Sequence, residues 1–83
     1  MPAQKTSILI VDDEPRILSG LARMLSLEAF DIVSCERPSL ALEQAEARSF
    51  DIVISDFRMP EMTGHELLLA INHIRSSVSL FLL

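Results

Sequence analysis

The chain has 83 residues, enough for one domain and no second one, and its formal net charge of −5 excludes a surface of clustered positive charge for nucleic acid or any pull toward anionic lipid. Hydrophobic residues make up 49% and charged residues 23%, a globular composition, and the single cysteine, Cys35, excludes an internal disulfide or a zinc site built on several thiolates. No apolar run approaches the roughly 20 residues of a membrane span, and the start lacks the apolar core of a signal peptide, so a small, acidic, soluble, cytoplasmic domain is expected.

The first element is Ser7-Ile8-Leu9-Ile10-Val11, a continuous apolar run that suits a strand buried on both faces. It stops at Asp12-Asp13-Glu14-Pro15. Pro15 fits the first turn of a helix, where its missing N–H costs nothing, with an acidic residue before it as cap. Ile17, Leu18, Leu21, Met24 and Leu25 then form one apolar stripe, with Gly20 a mild weakness inside the helix and Met24 read as core.

Residues Phe30 to Cys35 read as a second, shorter strand, and Pro38-Ser39 open a helix that runs through Ala47. Its small residues predict close packing on a sheet. Asp51-Ile52-Val53-Ile54-Ser55-Asp56 is another short apolar run that ends in a carboxylate. After the loop Phe57-Arg58-Met59-Pro60-Glu61-Met62, Thr63 and Glu66 have the spacing of a capping box. The helix they start buries Leu67, Leu68, Ile71 and Ile74, and residues 78–83 look like a fourth strand.

Strands alternating with helices imply an α/β fold: an open parallel sheet with helices on both faces and every strand's C-terminal end on one edge. Asp12 and Asp13 then close the first strand and Asp56 the third, at the switch point of a 2-1-3-4-5 strand order. Each acid alone reads as a helix cap or an ordinary loop carboxylate. Together they repel one another and need a cation. Donors that are all oxygen favour a hard ion such as Mg²⁺, and a carboxylate beside that ion can act as a nucleophile toward phosphorus. Phosphoryl transfer is the reaction class that this pattern names.

The remaining candidates read as structural. His65 and His73 are surface histidines with no second ligand at metal spacing. Cys35 packs as a small hydrophobe, Met59 and Met62 fill gaps near the loop, and Glu14 and Glu61 belong to solvated faces. A phosphohydrolase would usually carry an acid two residues after its nucleophile, where Arg58 stands. A calcium loop lacks its alternating acids and central glycine, and no Gly-rich phosphate loop exists.

The stretches Ile8-Leu9-Ile10-Val11-Asp12-Asp13-Glu14-Pro15 and residues 51–64 resemble the receiver domains of two-component response regulators, whose fold is flavodoxin-like. The resemblance implies that Asp56 accepts a phosphoryl group from a histidine kinase or phosphotransfer protein. It implies that Asp12, Asp13, Asp56 and the backbone carbonyl of Arg58 hold Mg²⁺, and that the domain is a regulatory phosphoacceptor rather than an enzyme. Thr63 stands where the family more often has aspartate, and threonine caps a helix equally well.

Against that pattern, residues 1–83 form an incomplete receiver, without the fourth helix, fifth strand and fifth helix. The family's hydroxyl at the end of the fourth strand has no counterpart in Ser76, Ser77 or Ser79, and the only lysine, Lys5, precedes the first strand. An uncovered fourth strand invites pairing with another chain, so a homodimer through this strand, swapped or simply paired, is expected. The alternative function is a fragment that keeps metal binding or dimerisation and does not switch.

Overall fold

The computed structural model describes residues 6–26 and 30–83; Lys5 lies outside the described residues. Strands and helices alternate as β1 (Ser7–Val11), α1 (Pro15–Ser26), β2 (Asp31–Cys35), α2 (Pro38–Ala47), β3 (Ile52–Ser55), α3 (Gly64–Ile74) and β4 (Ser79–Leu82). The strands form one sheet in the order β2-β1-β3-β4, every neighbouring pair parallel.

The sequence dictates this layering through residue parity. In β1, Ile8 and Ile10 point to one face, where they join Leu18, Ile32, Ile52 and Ile54. Leu9 and Val11 point to the other, against Val53, Ala41, Ala45, Leu67 and Ile71. Alternate residues of a strand face opposite sides, so a strand covered on both sides must be apolar throughout. Helix α1 takes the first face, and α2 and α3 take the second. Ala41 is fully buried and Ala45 nearly so, which lets α2 approach the sheet closely as its small residues predict.

Ordinary polar contacts tie the layers together. Arg75, at the end of α3, donates from Nε to the Ala45 carbonyl at 3.1 Å and so satisfies an open end of α2. Arg48 pairs with Asp31 at 2.9 Å and lies over the Phe50 ring, 4.6 Å from its centroid. At the other end of the sheet, Asp51 accepts from both the Ser7 N–H (2.8 Å) and the Ser7 hydroxyl (3.2 Å). This side-chain clamp joins the starts of β1 and β3.

Three expectations about burial need correction. Met24 is 64% exposed and Ile17 47% exposed, although both belong to the apolar stripe of α1. Among the described residues α1 stands alone on its face, so Leu18, Leu21 and Leu25 meet the sheet while the flank with Ile17 and Met24 has no neighbour. Ile74 ends α3 and is 38% exposed, whereas Ile71 and Leu67, one and two turns earlier, are buried. The apolar edge strand is as expected: Phe81 and Leu82 of β4 remain exposed.

Gly20 sits in the middle of α1, where an added Cβ meets nothing within 4 Å. Gly20→Ala is therefore expected to stabilise the fold by about 0.5–1 kcal/mol, by lowering the entropy of the unfolded chain. Urea unfolding at equal m-value measures it, and a lower midpoint would contradict the open environment.

Candidate functional site

The registers of β1 and β3 build the site. Val11 pairs with both Cys35 of β2 and Ser55 of β3, so the residues just past each strand share one edge of the sheet. The ladder runs one step further on each side. The Asp12 N–H donates to the Cys35 carbonyl at 3.1 Å, and the Asp56 N–H donates to the Val11 carbonyl at 2.9 Å. These bonds fix the backbones of Asp12 and Asp56 rigidly beside one another.

Asp12, Asp13 and Asp56 each place a carboxylate oxygen within 4.8 Å of the others. Asp12 is buried, Asp56 half-buried and Asp13 exposed, a gradient from the sheet edge to solvent. Burial pushes the Asp12 carboxyl above its ordinary value; the Glu14 N–H, donating at 2.9 Å, pulls it back in part, and the charges of Asp56 and Asp13 add to the rise. Three converging acids, one of them desolvated, form a cradle of hard oxygen donors with no nitrogen or sulfur among them. That donor set suits Mg²⁺. Arg58 lies in the adjoining loop between β3 and α3 with its side chain exposed.

The loop is held by contacts of its own. The Gly64 N–H donates to the Phe57 carbonyl at 2.7 Å. A Cβ at Gly64 would strike the Asp56 carbonyl oxygen and lie 2.9 Å from the Asp56 carbonyl carbon and 2.7 Å from Cδ1 of Leu82. Only glycine lets α3 begin this close to the Asp56 backbone. The capping box forms as the sequence predicts: the Glu66 N–H donates to Thr63 Oγ1 at 3.1 Å, and the Thr63 N–H donates to Glu66 Oε1 at 2.9 Å. The bond from the Thr63 N–H holds the Glu66 carboxyl below its usual range.

Two contacts escaped the sequence reading. Ser55 is fully buried, and its hydroxyl donates to the Asp56 carbonyl at 2.9 Å, beneath the close approach of Gly64. Its signal is the parity of β3, which puts Ser55 on the same covered face as Val53. Glu61, expected on a solvated face, is exposed but accepts two hydrogen bonds from Ser39, 22 residues away. No local spacing announces a contact over that distance.

The structural readings of the other residues hold. His65 and His73 are exposed on α3, and Met59 and Met62 pack against the core. Cys35 is buried, and burial pushes its thiol up, away from the reactive thiolate. A cavity of about 530 Å³ opens between α1 and α2 across β2, away from the carboxylates. A second, of about 460 Å³, has Asp13, Pro60 and Glu61 in its lining. No helix among the described residues is long and apolar enough to cross a membrane.

Two substitutions test this geometry. Asp12→Asn keeps an oxygen for the Glu14 N–H and removes a buried charge, so without divalent cations the melting temperature should rise by about 2–6 °C. A fall would show that the repulsion is not felt. Gly64→Ala should cost about 1–3 kcal/mol, because backbone and not a flexible side chain stands in the way. Denaturant titration reads that loss, and unchanged stability would refute the close approach.

Comparison with known proteins gives a consistent answer. The family model of the response regulator receiver domain matches residues 8–83. The two-component response regulator ARR2 of Arabidopsis thaliana is 43% identical over 63 residues, covering 74% of this chain and 10% of that protein. The transcriptional regulatory protein GlrR of Escherichia coli K12 is 31% identical over 83 residues, all of this chain and 19% of that protein. The chain thus spans between about a tenth and a fifth of these relatives' length. Among solved structures, a CheY-like receiver domain protein from Methanospirillum hungatei superimposes with a TM-score of 0.93 at 26% identity, covering 95% of this chain and 63% of that one. A structure of histidine kinase ThkA in complex with response regulator protein TrrA contains a match with a TM-score of 0.87 at 33% identity, covering 95% of this chain and 67% of that one. With its four parallel strands, its crossover helices and its paired acids at the sheet edge, the chain belongs to the response regulator receiver domain family.

Proposed function

We propose that this chain is the phosphoaccepting receiver of a two-component response regulator, in which Asp56 takes a phosphoryl group from the histidine of a kinase or phosphotransfer protein in a Mg²⁺-dependent step. The observation that carries this reading is the convergence of the Asp12, Asp13 and Asp56 carboxylates within 4.8 Å at the sheet edge. Asp12, Asp13, Asp56 and the backbone carbonyl of Arg58 would hold the ion. When bound, Mg²⁺ supplies positive charge that offsets the acids and the transferring phosphoryl oxygens.

Asp56 is the nucleophile because it alone of the three follows β3 and fronts the loop, half-exposed to an incoming donor. One of its carboxylate oxygens attacks phosphorus in line. The O–P bond forms as the P–N bond of the phosphohistidine breaks, and that electron pair returns to the imidazole nitrogen. The buried Asp12 and the hydrogen bonds about Asp56 keep the nucleophile's backbone still during the exchange. The chain is a regulatory phosphoacceptor rather than an enzyme, acting in the cytoplasm. The kinase–regulator complex among its structural neighbours supports a kinase as its partner.

A second reading rests on β4. Its exposed Phe81 and Leu82 at the sheet edge favour a homodimer through this strand, paired or swapped, in which the acids bind metal without switching. Intact mass after incubation with acetyl phosphate and Mg²⁺ separates the two. One phosphoryl adduct is expected on the wild type and none on Asp56→Asn, while Asp13→Asn should need about tenfold more Mg²⁺. An adduct that persists on Asp56→Asn overturns the assignment of the nucleophile. No adduct on the wild type, with Mg²⁺ still bound, favours the second reading.

A further inference from the structure

Helix α2 begins without a cap of its own. Its N-cap residue, Arg37, has an extended backbone and makes no side-chain capping bond, and Pro38 follows in the first turn. The next N–H belongs to Ser39, and it is satisfied from another part of the chain. Glu61, in the loop between β3 and α3, accepts from the Ser39 N–H through Oε1 at 3.0 Å and from the Ser39 hydroxyl through Oε2 at 3.2 Å. A carboxylate at a helix N-terminus is favourable on two counts, through hydrogen bonding and through the helix dipole. Both bonds hold the Glu61 carboxyl below its ordinary value, so it is charged at neutral pH.

The strap has a geometric consequence for the site. The loop that carries Arg58 runs from Ser55 to Gly64, and the Gly64–Phe57 bond gathers its two ends at α3. Glu61 anchors its middle to a different element, α2. The cavity of about 460 Å³ beside this bridge is lined by Asp13, Glu36, Arg37, Pro38, Pro60 and Glu61, so the strapped loop and Asp13 border the same space.

We infer that Glu61 is a positioning residue: by strapping the β3–α3 loop to the start of α2 it fixes the loop's approach to Asp13 and Asp56, and so sets the affinity for Mg²⁺ and the rate of phosphorylation. The inference deepens the receiver reading and rests on it. Glu61 is not among the residues that would hold the ion; it acts through the backbone of the loop.

Three variants of the 83-residue chain separate positioning from the alternatives. Glu61→Asp keeps the charge and is one methylene too short to reach Ser39. Glu61→Gln loses the charge and keeps an oxygen for the Ser39 N–H. Ser39→Ala removes one of the two bonds and leaves Glu61 in place. Mg²⁺ affinity is read by calorimetry, melting temperature without the ion by circular dichroism, and adduct formation from acetyl phosphate by intact mass.

Positioning predicts that Glu61→Asp raises the Mg²⁺ dissociation constant by about threefold to tenfold and slows adduct formation, with Glu61→Gln and Ser39→Ala in between. A simple charge effect predicts the reverse order, with Glu61→Gln weakest for Mg²⁺ and Glu61→Asp like the wild type. A cap alone lowers the melting temperature of Glu61→Asp and leaves its Mg²⁺ affinity and rate unchanged. Either of these results overturns the inference and leaves the receiver reading intact. A wild type that binds Mg²⁺ but takes no phosphoryl group refutes the phosphoacceptor reading, and the Mg²⁺ series then decides the strap by itself. A wild type that binds no Mg²⁺ overturns both.

Discussion

The mutual repulsion of three carboxylates is the constraint on which the rest of this structure depends. Burial raises the cost of ionising Asp12, the charges of Asp56 and Asp13 add to it, and a small sheet has little stability with which to oppose them. Among the described residues the fold answers with backbone hydrogen bonds. Asp12 and Asp56 are each held by a ladder hydrogen bond just past a strand end, and Asp12 also accepts from the Glu14 N–H. The backbones of Asp12 and Asp56 are thus held beside one another by the fold itself.

Around that edge the protein uses two kinds of fastening. One is steric. Gly64 lets α3 start against the Asp56 carbonyl, and Ser55, sealed beneath, donates its only proton to the same oxygen. The other is polar and long-range: Glu61 to Ser39 joins the loop to α2, Arg75 to Ala45 joins α3 to α2, and Asp51 to Ser7 joins β3 to β1. Every one of these bonds spans elements that adjoin only in the folded sheet. They reward the complete fold and do nothing for its parts.

How much of this was legible beforehand follows from which forces act locally. Continuous apolar runs mark strands covered on both faces, and Ser7–Val11 is recovered to the residue. The Thr63–Glu66 capping box is a local pattern and forms as written. The carboxylate cluster was legible because each acid follows directly on a strand end, so topology alone brings the three together. Met24 and Ile17 were misjudged because a helical stripe says which residues are apolar and not which neighbours exist to cover them. Glu61 was hidden because its partner lies 22 residues earlier on another element. Ser55 was recoverable in principle, from a single polar residue at a position where parity demands burial.

The sheet contains no hairpin. Ser7 lies beside Asp31, Ile8 beside Ile52, and Ile52 beside Ser79, each pair more than about twenty residues apart along the chain. No two strands can meet until a helix between them has been drawn across the sheet, so loop-closure entropy is lost before a single ladder bond forms. The central strand β1 needs both β2 and β3 before its apolar faces are flanked. On the ribosome, β1 is made before β2 and β3 and must wait for two helices and β2 before its second neighbour emerges. The same parallel wiring that lines up the acids on one edge therefore leaves the nascent polypeptide with its most water-averse segment exposed the longest.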